Sequence, residues 1–157
     1  MESNLTKQEW SDLINRANPL EFGWIGIDQL KQIAYFSTFG RAYIPDKVMS
    51  SYDRYIELAE FVNNLPEICS SKLYTKEKGR FNIWHFHSKR GLIAYDFLDV
   101  HRNENERLNR YDLITFPERP ITYDLIPNMA LYNDIIARFS LDFNNNTSFK
   151  DLQAAEC

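Results

Sequence analysis

Residues 22–38, FGWIGIDQLKQIAYFST, decide the fold of this chain. Two runs rich in aromatic and β-branched residues, 22–27 and 33–37, flank a short polar turn, which is the pattern of a β-hairpin. Gly23 and Gly26 fall on opposite faces of the first strand by period-two counting, and glycine in a strand lets another group approach the backbone closely. The segment therefore predicts two paired strands in a sheet that helices pack against.

The rest of the sheet is predicted downstream of this hairpin. Apolar runs at 92–98 and 110–116 predict two further strands, which pair antiparallel across a charged loop at 99–109. Leu141 and Phe143 predict a last short edge strand. The total is four to five strands.

Capping signals and helical spacing predict the first two helices. One covers residues 7–17, where Thr6 and Glu9 form a T-x-x-E capping box. A second runs from position 50 or 51 to position 64, with a serine at its start and a proline shortly after its end.

Residues 80–90 fit either a helix or a strand. Lys89 and Arg90 suit the negative C-terminal end of a helix, and Gly91 suits the left-handed residue that often follows one. A strand would instead place alternate aromatic residues on one face. We prefer the helix and keep the strand as the alternative.

A later helix is predicted to begin at Pro127, because proline is favoured at a first helical position. Apolar residues follow it at helical spacing: Met129, Tyr132, Ile135, Ile136 and Phe139. The predicted fold class is α+β, with an antiparallel sheet of four to five strands packed by about four helices. It forms one domain over residues 1–157, with a polar, basic loop at 72–79 and a frayed C-terminal tail at about 150–157.

Composition agrees with a single packed domain. The chain has 157 residues, of which 15% are aromatic, and a chain of this size can bury a core of its own. Cys69 and Cys157 do not make a disulfide framework, so reduced thiols are the simpler interpretation. We find no secretory signal and no apolar run of the about 20 residues that span a bilayer. The predicted location is the cytoplasm, with no membrane partner.

The charge is distributed unevenly. Residues 1–70 carry 6 basic and 10 acidic residues, 71–119 carry 10 and 7, and 120–157 carry 2 and 5. The net charge of −4 argues against a nucleic-acid partner, because neutralising phosphates requires concentrated Lys and Arg. Ordinary solubility charge is the simpler explanation of the acidic ends of the chain, and the alternative is that they steer a basic partner.

No residue pattern predicts catalysis, a metal or a cofactor. His85 and His87 share a face only if they lie on a strand, and zinc needs further ligands at a recognised spacing. Cys69 lacks a local nucleophile signature. An alternative function, a small-ligand or enzymatic domain, would use Tyr95, Asp96, His85 and His87 together in one deep pocket.

The most suggestive surface lies on the second predicted helix. Asp53, Glu57 and Glu60 stand at i, i+4 and i+7, which places them on one face, and Glu67 extends the acidic surface. A solvated helix face is one explanation. The functional alternative is docking to a cationic protein surface, for which these four carboxylates are the candidate partner-binding residues.

Three stretches resemble small bacterial immunity-type proteins of polymorphic and contact-dependent growth inhibition toxin systems. The first is W-x-G-x-D followed by F-x-T-x-G, at 24–28 and 36–40. The second is R-G-L-x-x-Y-D at 90–96. The third is Tyr111 with the later pairs Phe116-Pro117 and Pro120-Ile121 and the triplet Leu125-Ile126-Pro127.

The resemblance implies a cytosolic immunity protein with no enzymatic turnover. Such proteins bind one secreted toxin domain and block its active site or the approach of its substrate. Toxins of this kind are often basic nucleases, for which an acidic binding surface is physically sensible. A general interaction module for another cellular partner remains a third hypothesis.

Overall fold

The computed structural model describes residues 1–17, 20–38, 42–97, 110–150 and 152–157. Within these residues the chain forms one mixed sheet of seven strands. The strands are β1 (Phe22–Ile27), β2 (Ile33–Thr38), β3 (Ser71–Leu73), β4 (Ile93–Asp96), β5 (Tyr111–Pro117), β6 (Ala137–Arg138) and β7 (Ser148–Phe149). The predicted charged loop at 99–109 lies outside the described residues.

The predicted hairpin is confirmed. β1 and β2 pair antiparallel in continuous register, from Phe22 opposite Thr38 to Ile27 opposite Ile33. The predicted antiparallel pairing of the next two strands is confirmed as well, between β4 and β5.

The sheet as a whole is not antiparallel, and the predicted count of four to five strands is wrong. Its order is β3-β5-β4-β2-β1-β6, and β7 pairs with β5. β4 lies parallel to β2, and β6 lies parallel to β1. A parallel neighbour needs a long crossover connection, and here two helices lie between β2 and β4. Three of the strands have only two or three residues, which is too short for a period-two pattern to reveal.

The prediction of about four helices is also wrong, because three α-helices occur in the described part of the chain: α1 (Lys7–Ile14), α2 (Tyr52–Asn63) and α3 (Asn82–Ser88). The capping box that predicts α1 is present, with Thr6 and Glu9 bonded reciprocally. Residues 80–90 contain a helix, as preferred. Its end is a Schellman motif, in which the N–H of Leu92 donates to His87 O and that of Gly91 donates to Ser88 O. Gly91 has a φ of 88°, the left-handed backbone that glycine adopts without strain.

The helix predicted from Pro127 is wrong. The segment forms short 3-10 turns at Tyr123–Leu125 and Met129–Tyr132 and then enters β6. Asn128 has a φ of 66°, which interrupts any right-handed helix starting at Pro127. The apolar residues that suggest a helix are nevertheless mostly buried, because turns and a strand also direct them inward. The predicted edge strand at Leu141 and Phe143 is wrong too. Phe143–Asn145 forms a 3-10 turn, and the last strand, β7, lies further along the chain at Ser148–Phe149.

One face of the sheet carries an aromatic core. Trp24 and Phe36, opposite each other on β1 and β2, stack with ring centroids 4.3 Å apart. Rings from β4 and the C-terminal third of the chain surround them: Tyr95, Phe139, Phe143 and Phe149. A Cβ atom at Gly26 would lie 2.6 Å from Phe139 Cε2, so that glycine makes room for the ring.

Asp28 ties the hairpin to this C-terminal layer. It is 4% exposed. Its Oδ1 accepts hydrogen bonds from the backbone N–H groups of Leu30 and Gln32 in the turn, at 2.9 and 2.8 Å. Its Oδ2 accepts from the N–H of Phe143 at 2.9 Å. The aspartate of the W-x-G-x-D stretch therefore has a structural position that links two distant segments.

The predicted C-terminal tail makes main-chain contacts with the end of β6 and with the residues that follow it. The N–H of Ser140 donates to Ala155 O, and the N–H of Cys157 donates to Arg138 O, both at 2.8 Å. Leu152 is buried. Among the described residues, no helix is both long and apolar enough to cross a membrane.

Candidate partner-binding surface

The acidic residues of α2 lie on its solvent-facing side. Asp53, Glu57 and Glu60 are all exposed. The opposite side of the helix is buried: Tyr55, Leu58, Ala59 and Val62. The helical spacing predicted from the sequence therefore places the three carboxylates together on an open face.

Arg54 organises one side of this face. Its Nε and Nη2 donate to Asp134 Oδ2 and Oδ1, both at 3.0 Å, which is a bidentate pair. Its Nη1 donates to Glu57 Oε2 at 2.5 Å, and its Nη2 also donates to Leu131 O. The hydrogen bonds from Arg54 lower the pKa of the Asp134 carboxyl below its ordinary value.

The same guanidinium lies against an aromatic ring. The Arg54 Cζ atom is 5.1 Å from the centroid of the Tyr132 ring, within the range of a cation–π contact. The Tyr132 ring in turn lies 5.1 Å from that of Phe61 on α2. Arg54 thus ties the 3-10 turn at Met129–Tyr132 to the first turn of α2, and Phe61 contacts the same turn from the C-terminal half of the helix.

A groove opens between this turn and the end of α2. Its volume is about 440 Å³. Its apolar lining consists of Phe61, Leu65, Pro66 and Tyr132. Its polar lining consists of Glu57, Glu60 and Asn64. An apolar floor with carboxylates beside it can receive an apolar side chain that is accompanied by a positive charge.

The four predicted carboxylates differ in their partners. Glu57 pairs with Arg54. Glu67 lies 3.8 Å from Lys89 Nζ and 3.5 Å from Arg90 Nη1, so it faces the end of α3. Neither Asp53 nor Glu60 forms an ion pair with any residue that the structure describes. Asp53 and Glu60 are therefore the carboxylates of this set that are open to a partner cation.

The residues of the alternative enzymatic hypothesis are not brought together. His85 Nδ1 lies 2.9 Å from Ser71 Oγ, beside the edge strand β3. His87 is fully buried and stacks on Tyr35 of β2 with ring centroids 3.9 Å apart. Tyr95 contacts Phe36, which follows Tyr35 in β2. Because consecutive residues of a strand point to opposite faces, Tyr95 lies in the aromatic core on the other face of the sheet.

Tyr95 and Asp96 are both buried within the sheet. The Tyr95 hydroxyl donates to Phe143 O at 2.9 Å or to Asn146 O at 2.7 Å. Burial raises the pKa of this phenol above its ordinary value. Asp96 is 8% exposed and lies opposite Ser37 and Asp112 in the sheet. The Tyr95 hydroxyl thus links β4 to the backbone of the C-terminal segment at 143–146.

A buried polar cluster on the helix-covered face was not predicted. His87 Nε2 lies 3.1 Å from the amino nitrogen of Met1, which also donates to Asn63 Oδ1 at 3.1 Å. His87 Nδ1 has no hydrogen-bond partner within the described residues. Burial, followed by the nearby amino group and Arg90, lowers the pKa of His87 well below its ordinary value. The imidazole is therefore neutral at pH 7.

Neither a metal group nor a known relative adds a function to this description. In the described parts of the chain, no three His, Cys, Asp or Glu residues are grouped so that they could hold a metal ion. The chain matches no protein-family model, and no curated protein or solved structure is significantly similar to it. The acid-lined groove on α2 is consequently the feature from which a function can be argued.

Proposed function

We propose that this protein is an immunity protein that binds a cognate secreted toxin domain and neutralises it by covering its active site. The proposal depends on one observation above all, the exposed acidic face of α2 beside an apolar groove. The action is stoichiometric binding in the cytoplasm, and the protein itself transforms no substrate.

The charges of α2 support a basic partner. Asp53, Glu57, Glu60 and Asp134 are four carboxylates. Arg54 is the one cation hydrogen-bonded to any of them in the described residues, and the charge of Lys47 also acts on Asp134, so these six groups carry a net charge of −2. Like charges on one helix face do not stabilise the helix through their mutual contacts, and attraction to a cationic surface would give this arrangement a function. Such complementarity speeds association and suppresses wrong partners.

The groove supports specific recognition in addition to attraction. Protein interfaces draw most of their binding energy from a few apolar or aromatic anchors that enter pockets, while charged residues at the rim give orientation. A noncognate toxin would leave the Glu60 carboxylate desolvated without a partner cation, which penalises the wrong complex.

The resemblance of 24–40 and 90–96 to immunity-type proteins gives the proposal its biological class. The residues that carry this resemblance are mainly structural here: Trp24 and Tyr95 lie in the aromatic core, and Asp28 ties the turn to Phe143. They therefore bear on fold, and the groove residues bear on the partner.

Protection of cells from a toxin tests the proposal directly. The toxin domain is taken from the open reading frame adjacent to the one for this chain and expressed from an inducible promoter, with and without this protein. We expect this protein to restore growth and to co-purify with the toxin in a 1:1 complex. Failure of the wild-type protein to protect, with both proteins expressed and folded, would overturn the proposal.

A matched pair of charge reversals locates the contact. Glu60→Lys inverts the charge at the groove, and Glu118→Lys inverts an exposed carboxylate at the end of β5. We expect the first to weaken protection and the second to leave it unchanged, because exposed surface charges away from an interface contribute little.

A further inference from the structure

We infer that the groove on α2 receives an aromatic side chain of the partner that is flanked by lysine or arginine. This inference rests on the proposed function and specifies the chemistry of the toxin segment that docks there.

The shape selects a side chain. Four groove residues present apolar surface: Phe61, Leu65, Pro66 and Tyr132. The volume of about 440 Å³ is at the small end of ligand pockets, which span roughly 300–1,000 Å³. An open groove of this size accommodates an anchoring side chain, and aromatic anchors bring the largest buried area with few rotatable bonds.

The carboxylates select the charge that accompanies the anchor. Glu57 already accepts a hydrogen bond from Arg54 at 2.5 Å, whereas Glu60 has no ion-pair partner in the described residues. A cation placed beside the anchor would therefore pair with Glu60. An acidic segment would instead be repelled, because the four carboxylates Asp53, Glu57, Glu60 and Asp134 outnumber the two cations Arg54 and Lys47.

Arg54 is a positioning residue for this groove. It connects α2 to the opposite wall through the bidentate pair with Asp134, the bond to Leu131 O and the contact with the Tyr132 ring. A lysine would keep the charge but could not form the planar fork. Arg54→Lys should therefore loosen the wall while leaving the sign of the surface charge unchanged.

A short peptide probe tests the inference without the toxin. Backbone amide shifts of the isotope-labelled protein are followed by NMR at low salt during titration with Ac-Lys-Trp-Lys-NH2 and, separately, with Ac-Glu-Trp-Glu-NH2. We expect the basic peptide to shift amides at 57–65 and 129–134. The acidic peptide should shift them far less.

Two variants of the groove and one control variant measure what the carboxylate and the wall contribute to binding. Glu60→Gln should lower the affinity for the basic peptide by about two- to fivefold, which is the contribution of one exposed ion pair. Glu118→Gln should leave this affinity unchanged. Arg54→Lys should weaken the binding of Ac-Lys-Trp-Lys-NH2 and also of the neutral peptide Ac-Gln-Trp-Gln-NH2, because the substitution changes the wall of the groove. Equal binding of the basic and acidic peptides, or shifts centred outside the groove, would overturn the inference.

The peptide and protection experiments fail in different ways. Groove shifts without any protection by the wild-type protein would remove the proposed function and leave the groove chemistry standing. Full protection by both the wild-type protein and Glu60→Lys would leave the function standing and remove the groove as its binding site.

Discussion

Acidification should destabilise this protein through His87. The imidazole is 0% exposed, stacks on Tyr35, and lies 3.1 Å from the Met1 amino nitrogen. Burial is the largest cause of its lowered pKa, and the charges of the amino group and Arg90 act in the same direction. Protonation would add a positive charge to those of the amino group and Arg90, so the folded state resists taking up the proton.

The sign and size follow from proton linkage. In the unfolded chain His87 has a pKa of about 6.5 and binds a proton below it, while the folded chain does not until a much lower pH. The contribution of the neutral imidazole to the free energy of unfolding is thus fully present above about pH 6.5, and it falls as the pH is lowered. Between pH 7.5 and 5.5 one such group removes about 1.4 kcal/mol from the free energy of unfolding. The Met1 amino group, whose pKa burial also lowers, adds a loss of the same sign.

Urea unfolding followed by tryptophan fluorescence measures this loss at pH 7.5 and 5.5. Comparison with His87→Gln isolates the histidine, because the carboxylates and the amino group remain in both proteins. His85→Gln, at a half-buried histidine beside Ser71 on the same helix, is the matched control for removing an imidazole from α3. The reasoning is refuted if His87→Gln loses as much stability on acidification as the wild type, or if NMR shows the His87 ring titrating near pH 6.5 in the folded protein.

Three further predictions concern the fold. Gly26→Ala should cost about 1–3 kcal/mol in urea unfolding, because the new Cβ would lie 2.6 Å from Phe139 Cε2 in a packed core; unchanged stability would contradict the packing described here. Asp28→Asn keeps the shape of the side chain, but it can turn an amide donor toward the N–H of Phe143, so we expect a loss of about 1–3 kcal/mol by thermal unfolding. Gly91→Ala forces a side chain into a φ of 88° and should cost about 1–2 kcal/mol, whereas Gly79→Ala, where the nearest atom to the new Cβ is 3.4 Å away, should be nearly neutral by the same assay.

The acidic face of α2 was predictable because it depends on one helix. The spacing of Asp53, Glu57 and Glu60 fixes their common side once the helix is assigned. The groove beside them was not predictable, because its other wall comes from Tyr132, in a segment whose apolar spacing indicates a helix but which forms turns. Glu67 was placed on the same surface from sequence, yet its carboxylate pairs with Lys89 and Arg90.

The sequence by itself determined the elements that local signals encode. The turn between β1 and β2, the serine at the start of α2 and the glycine after α3 each act within a few residues, so the hairpin and these two helices could be assigned without coordinates. The tertiary structure alone decided the parallel neighbours β4 and β6 and the short strands. It also decided the pairs Tyr35–His87 and Arg54–Asp134. These depend on contacts between residues far apart in the chain, which no local periodicity specifies.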